Sequence, residues 1–183
     1  MKKLLIVLIV LCVIYSCKKE QDPFLISKQN IGLLTDSTQV KELKNIFIND
    51  SIKRYIGGDE FTGNINDINI YEKTGKLLLI LTPTQALDST ATIKNIRVID
   101  SRYKTNKGLN PLSTFKDIKD NYKISNIQNT LRNILISIEG ENMYFTIDKK
   151  ELPSEMRYDM DLKIEEIHIP DTAKINYFMI NWN

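Results

Sequence analysis

The stretch NILISIEGENMYFTID, residues 133–148, decides the fold class because it has the pattern of two strands joined by a turn. Apolar residues alternate with others on both sides of a short polar segment that contains Gly140. Side chains that alternate in this way point to opposite faces of a strand, so each strand buries one face. The apolar positions are Ile134, Ile136 and Ile138 before the turn, and Met143, Phe145 and Ile147 after it. The stretch therefore predicts a β-hairpin in a half-buried antiparallel sheet.

Similar strand-like segments lie on both sides of this hairpin. They are rich in isoleucine and leucine, and they end at turn-forming residues such as Gly75 and Pro83. The predicted strands cover Ile68 to Ile70, Leu77 to Leu81, Thr92 to Asp100, Lys163 to Ile169, and Ile175 to Trp182.

Two segments have helical spacing instead of alternation. In each, three apolar residues recur at intervals of three and then four, behind residues that cap helices, either Asp36 and Ser37 or Ser113 and Thr114. The apolar triplets are Val40, Leu43 and Phe47, and Phe115, Ile118 and Tyr122. We therefore expect an α+β fold, mainly antiparallel sheet with two short helices, in a single domain over residues 31–183.

The two helical segments are offset by 75 residues, and each is followed by several predicted strands. This arrangement is similar to the tandem helix-plus-sheet units of β-lactamase inhibitor protein and of small outer-membrane-assembly lipoproteins. The resemblance implies two subunits, 31–100 and 101–183. The alternative is that the shared spacing reflects only the 3.6-residue turn, which any two amphipathic helices have in common.

The N-terminus has the features of an export signal. Met1-Lys2-Lys3 is followed by an uncharged apolar run to Tyr15, which is too short to span a bilayer. Ile14-Tyr15-Ser16-Cys17 then resembles a bacterial lipobox. The resemblance implies a signal peptide over 1–16, cleavage between Ser16 and Cys17, and a lipid on Cys17 that anchors the chain to a membrane. An ordinary secretory signal is the alternative.

Residues 17–30 are polar and contain Pro23, so we expect a flexible tether there. Its start, Lys18 to Asp22, resembles the charged export tag of surface lipoproteins of the Bacteroidetes group. This resemblance implies an outer-membrane location, on the periplasmic or cell-surface face. Cleavage would also remove Lys2 and Lys3 from a chain of 25 basic and 23 acidic residues, which leaves no net charge. A balanced chain argues against a nucleic-acid partner.

The sequence offers little for catalysis or for cofactors. His168 is the only histidine, and no GxSxG motif supplies a nucleophile. Both cysteines lie at or before position 17, so the domain has no thiol ligands. Two groups of acidic residues do not match a calcium-binding motif: Asp59, Glu60 and Asp67, and Asp159, Asp161, Glu165 and Glu166. We therefore expect no enzymatic activity, no catalytic residues, no metal and no cofactor.

Two segments are candidates for binding. The loop with Arg102, Tyr103, Lys104 and Lys107 combines cations with an aromatic ring, and Tyr177 and Trp182 supply aromatic groups near the C-terminus. These features predict a membrane-anchored, non-enzymatic lipoprotein that binds a protein partner. An inhibitor or immunity protein against a toxin or hydrolase is the sharper form of this prediction. The alternatives are an accessory subunit of an outer-membrane complex and, less favoured, a small envelope hydrolase.

Overall fold

The computed structural model describes residues 21–57 and 65–182. The predicted signal peptide, the lipobox with Cys17, and the acidic pair Asp59 and Glu60 lie outside the described residues. The strands are β1 (Leu25–Ile26), β2 (Asn30–Ile31), β3 (Leu34–Thr35), β4 (Ser51–Gly57), β5 (Ile65–Tyr71), β6 (Leu77–Pro83), β7 (Ile93–Val98), β8 (Lys104–Thr105), β9 (Ile124–Asn129), β10 (Asn133–Ile138), β11 (Met143–Asp148) and β12 (Ile175–Asn181). The α-helices are α1 (Leu43–Ile46) and α2 (Phe115–Asn121), and 3₁₀ helices cover Val40–Glu42, Lys149–Glu151, Ser154–Met156 and Glu166–His168.

Most strands belong to one eight-stranded antiparallel sheet with the order β4-β5-β6-β7-β12-β11-β10-β9. The predicted hairpin is confirmed as β10 and β11, in which Ile134 faces Ile147 and Ile136 faces Phe145. The fold is α+β with two short helices, as predicted, and sheet dominates it. Strands β7 and β12 pair at the centre, so each half of the sheet is a four-strand meander that follows one helix.

One face of this sheet forms the core. A row of aligned residues crosses it from β5 to β10, and neighbours in the row pair across adjacent strands. Helices α1 and α2 and the small N-terminal sheet contribute to the same apolar cluster, so they cover this face. The row consists of Ile70, Leu79, Val98, Phe178, Phe145 and Ile136, all of them buried.

The helices begin at residues that satisfy their free amide groups. Thr114 caps α2: its hydroxyl accepts a hydrogen bond from Asp117 N–H, and its own N–H donates to the Asp117 carboxylate. In the first half, Gln39 N–H donates to the Glu42 carboxylate at 2.7 Å. The prediction that Asp36 or Ser37 caps this helix is wrong, because the helical turn begins only at Val40.

The folded domain begins earlier than expected. The tether predicted over 17–30 is wrong for its second half, because Leu25–Ile26 pairs in parallel with Lys104–Thr105 and Asn30–Ile31 pairs with β3. Ile26 and Ile31 are buried in the core, which stabilises this small sheet. Gly32 turns the chain with a φ of 55°, and a Cβ there would lie 2.1 Å from the Pro23 carbonyl oxygen. Only glycine fits at that position.

The sequence predicted one strand that does not form. Lys163 to Ile169 contains a 3₁₀ turn at Glu166–His168, although Ile167 and Ile169 on either side of His168 suggested a strand. The His168 ring accepts a hydrogen bond from Glu165 N–H at 3.1 Å, so the side chain stabilises a turn in place of a strand. None of the helices in the described part of the chain is long and apolar enough to cross a membrane.

Candidate functional site

The side chain of Arg102, a predicted binding residue, already pairs with carboxylates of the same chain. Its guanidinium donates three hydrogen bonds to the buried Asp100 carboxylate, two from Nε at 3.1 and 3.2 Å and one from a terminal amino group at 2.8 Å. A second ion pair joins it to Glu72 at 2.8 Å, and Lys76 Nζ lies 3.0 Å from the Asp100 carboxylate. We call these four residues the Asp100 cluster. It connects the β5–β6 turn to the segment that follows β7.

Ionisation of Asp100 reflects this environment. Burial disfavours its charged form, but the hydrogen bonds from Arg102 and Lys76 outweigh burial and lower the pKa of Asp100 to about 2. The Arg102 guanidinium also lies 4.7 Å from the centre of the Phe24 ring. Arg102 therefore holds the N-terminal segment against the sheet, and its charge is not free for a partner.

Tyr103 was also predicted to bind a partner, and this is wrong. Only 3% of its surface is exposed, and its ring packs edge-to-face on Phe24 at 5.0 Å. Burial raises the pKa of Tyr103, consistent with a phenol in the core. Lys104 is exposed, and its backbone N–H donates to the Phe24 carbonyl. Lys107 donates to the Asn121 carbonyl at the end of α2 and lies over the Tyr122 ring.

The last strand separates the two remaining predicted residues. Trp182 is 3% exposed and packs in the core, so its predicted role in binding is wrong. Tyr177 is 39% exposed on the opposite face of the sheet, where the Arg97 guanidinium lies 4.9 Å from its ring centre. The alternation of β12 explains this result, since Phe178, Ile180 and Trp182 share the core face.

Tyr177 belongs to a surface on the sheet face that points away from the core. A register row runs across four adjacent strands there, from Ile80 to Arg97, Met179 and Tyr144, and all four side chains are half-buried. This row and its neighbours line a shallow cavity of about 390 Å³ where the two halves of the sheet meet. We call it the open-face cavity. Its lining residues are Asp67, Ile80, Thr82, Arg97, Leu135, Tyr144, Thr146, Tyr177 and Met179.

Polar groups in the open-face cavity differ in how they are satisfied. Thr82 donates a hydrogen bond of 2.7 Å to the Asp67 carboxylate. The Thr146 hydroxyl has no hydrogen-bond partner among the described residues, although Thr146 is only 9% exposed. Leaving a buried hydroxyl unpaired costs about 1–3 kcal/mol. Arg97 likewise belongs to none of the ion pairs found among the described residues. The cavity therefore holds unused hydrogen-bonding capacity beside aromatic and apolar groups, which suits binding.

The residues considered for catalysis or metal binding have local structural roles. His168 is half-buried, and its Nδ1 atom is engaged by Glu165 N–H. The Asp159 carboxylate accepts hydrogen bonds from the backbone of Asp161 and Leu162. Within residues 21–57 and 65–182, no three His, Cys, Asp or Glu side chains converge as metal ligands would.

Sequence reasoning missed most of the open-face cavity. It named Tyr177 as a candidate binding residue, but it did not find Arg97, Tyr144 or Thr146. A signal was present, since these residues occupy the positions between the apolar residues Ile96 and Val98 on β7 and Met143, Phe145 and Ile147 on β11. Which of them lie side by side depends on the pairing of β7 with β12, two strands that are far apart in the chain.

The architecture is that of an α+β domain with one large antiparallel sheet, covered by helices on one face. A solved structure with a similar fold is that of the uncharacterized protein yfeY from Escherichia coli, with a TM-score of 0.58. The match covers 85% of this chain and 98% of that chain at 17% sequence identity, so it shows the fold alone. Comparison with protein-family models and with curated proteins gave no match.

Proposed function

We propose that this chain is a membrane-anchored, non-enzymatic lipoprotein of the cell envelope that binds a protein partner through the open-face cavity. The observation that carries the proposal is the Arg97–Tyr177 pair, a cation stacked on an exposed ring on the sheet face opposite the core. Arginine and tyrosine are enriched among the residues that dominate interface energies. An inhibitor or immunity protein is the preferred form of this function, and an accessory subunit of an outer-membrane complex is the alternative.

The chemistry of the cavity defines the partner. Met179, Ile80 and Leu135 offer apolar contact area, and Arg97 offers a positive charge without an ion pair among the described residues. A complementary protein would present an apolar surface with a carboxylate opposite Arg97. Such a carboxylate would be bound bidentately by the guanidinium, which is worth more when the cavity is closed to water.

We also infer that residues 31–100 and 101–183 are tandem helix-plus-sheet units. The support is a set of equivalent backbone hydrogen bonds, in which the first two residues of each helical segment donate to the loop before the last strand of the same half. This arrangement would make the open-face cavity the junction of two similar units, as expected for a binding surface built by repetition. The bonds are Val40 to Ala91 and Lys41 to Ser89 in the first half, and Phe115 to Ala173 and Lys116 to Asp171 in the second.

Photo-crosslinking in living cells tests the proposal. A photoreactive amino acid is placed at Tyr177 in the full chain, and a matched one is placed at Ile48, which is also exposed but lies after α1 and outside the cavity. We expect one discrete protein adduct from position 177 and none of that size from position 48. Arg97→Glu should abolish the adduct, because it reverses the charge that faces the partner.

The same experiment includes the anchor. In a Cys17→Ala variant, labelling with a palmitate analogue and the adduct from position 177 should both be lost, since the chain no longer reaches its partner at the membrane. Palmitate labelling that persists in Cys17→Ala would contradict lipidation. An adduct that forms equally from position 48, or that survives Arg97→Glu, would contradict binding through the cavity.

A further inference from the structure

A second cavity, of about 510 Å³, lies beyond Tyr177 at the open end of the β10–β11 hairpin, and basic side chains dominate it. Its volume falls within the about 300–1,000 Å³ that ligand pockets usually have. Among the described residues, four cations line it beside one carboxylate, that of Asp148. We call it the Lys149 pocket. The cations are Arg132, Lys149, Lys150 and Arg157, and Tyr158 and Asn176 also line the pocket.

Lys149 is the unusual member. Only 5% of its surface is exposed, and the one hydrogen bond that the described residues give its ammonium group goes to the Met160 sulfur at 3.3 Å. A thioether is a weak acceptor, and a buried ammonium without a counter-charge is costly. The Lys149 backbone N–H donates to the Arg132 carbonyl, which holds the two basic residues side by side.

Asp148, the acidic residue that lines the pocket, forms no ion pair with these cations. The Asp148 carboxylate accepts a hydrogen bond from Lys150 N–H and so caps the 3₁₀ helix Lys149–Glu151. None of the ion pairs among the described residues includes any of the four cations. Arg157 is held by a 2.8 Å hydrogen bond from Nε to the Leu152 carbonyl, which leaves its two terminal amino groups available.

We propose that the Lys149 pocket is an anion-binding site that takes the phosphoryl group of a small phosphate ester. Arginine and lysine together are the residues that bind phosphate, and a doubly charged tetrahedral group accepts more hydrogen bonds than a carboxylate does. The negative charge of the phosphoryl group would pair with the buried Lys149 ammonium and reduce the repulsion among the four cations. Tyr158 and Asn176 would contact the sugar or glycerol that carries the phosphate. The Lys149 pocket shares Tyr177 with the open-face cavity, but its four cations lie outside that cavity, and the proposal does not depend on the proposed protein partner.

Isothermal titration of the full chain in a non-ionic detergent tests this site with four soluble probes: inorganic phosphate, glucose 6-phosphate, glycerol 3-phosphate and acetate. We expect phosphate and at least one ester to bind, and acetate to bind at least about tenfold more weakly. A tighter Kd for glucose 6-phosphate assigns a sugar phosphate, and a tighter Kd for glycerol 3-phosphate assigns a lipid headgroup. Equal Kd values for all three phosphates would show that the pocket recognises the phosphoryl group alone, which would overturn the assignment to an ester.

Lys149→Met keeps the apolar stem and removes the charge, so it should weaken phosphate binding at least about tenfold. Arg132→Gln, at an exposed position, should weaken it as well and serves if Lys149→Met does not fold. The matched control is Lys94→Met, which removes one exposed lysine outside the pocket and should leave the Kd unchanged. Absence of phosphate binding, equal binding of acetate, or an unchanged Kd in Lys149→Met and Arg132→Gln would overturn the proposal.

Discussion

The Asp100 cluster and the Lys149 pocket contain the same kinds of basic side chain in opposite electrostatic situations. In the Asp100 cluster the charged partner is the buried carboxylate, and Arg102 and Lys76 reach it from the surface. In the Lys149 pocket the buried group is the ammonium, and the described residues offer it only a sulfur atom. The first arrangement satisfies its charges within the chain, whereas the second leaves charge for a ligand.

This difference shows why basic residues alone are a poor guide to a binding site. The sequence predicted Arg102 as a binding residue because it lies in a basic loop, yet its charge is already paired with Asp100 and Glu72. Lys149 follows a strand in an unremarkable Asp-Lys-Lys sequence. A basic side chain is available to bind a ligand when no carboxylate of the same chain already pairs with it. The comparison makes opposite predictions for substitutions in the two clusters.

The largest expected effect is that of Asp100→Ala. The substitution removes hydrogen bonds from two cations to a buried carboxylate, so we expect the free energy of unfolding to fall by about 3 kcal/mol. Urea denaturation at neutral pH measures this loss. The control is Asp120→Ala, which breaks the exposed pair with Lys116 on α2 and should cost less than about 1 kcal/mol. Equal losses in the two variants would show that the Asp100 cluster does not stabilise the fold.

The Asp100 cluster should also make the free energy of unfolding depend on pH. The pKa of Asp100 is lowered from 3.8 to about 2 in the folded protein, so its ionised form stabilises the fold above about pH 4. This contribution of about 2 kcal/mol should be lost as the pH falls from about 4 to about 2. Urea denaturation at several acidic pH values measures the slope. Asp100→Asn should flatten it, and an identical slope in that variant would contradict the assignment to Asp100.

Much of the fold could be predicted because alternation is a local signal. The hairpin β10–β11 and the strand β12 follow their apolar periods, and the cap at Thr114 follows from neighbouring residues. The edge strand β4 was missed because most of its residues are exposed and it has little apolar alternation. Strands β1 and β8 are only two residues long. Each forms by pairing with the other, although the two are far apart in the chain.

The candidate sites were less predictable for the same reason. Arg97 meets Tyr177 only because β7 pairs with β12, and the Lys149 ammonium meets the Met160 sulfur only because the chain turns back after the 3₁₀ helix Lys149–Glu151. Pairing can be local, as between Arg102 and Asp100, but the partners Glu72 and Lys76 come from another turn of the chain. The near balance of basic and acidic residues argues against a strongly basic surface, but it could not indicate where four cations gather beside one carboxylate.

The smallest and sharpest test compares two lysine substitutions of identical chemistry. Lys76→Met removes a half-exposed ammonium 3.0 Å from the Asp100 carboxylate, so we expect a loss of about 1 kcal/mol. Lys149→Met removes a buried ammonium that has no carboxylate partner among the described residues, so the stability should stay unchanged or rise by up to about 1 kcal/mol.

This test measures the urea midpoints of the wild type and both variants without phosphate in the buffer. It compares a lysine that pairs with a carboxylate, Lys76, with one that does not, Lys149. Phosphate must be absent because a ligand of the Lys149 pocket would stabilise the wild type and hide the difference. A larger loss in Lys149→Met than in Lys76→Met would mean that Lys149 supports the fold through its own contacts. Higher stability in Lys149→Met would instead mean that the unpaired charge of Lys149 destabilises the fold. Such a charge is expected at a site that binds an anion.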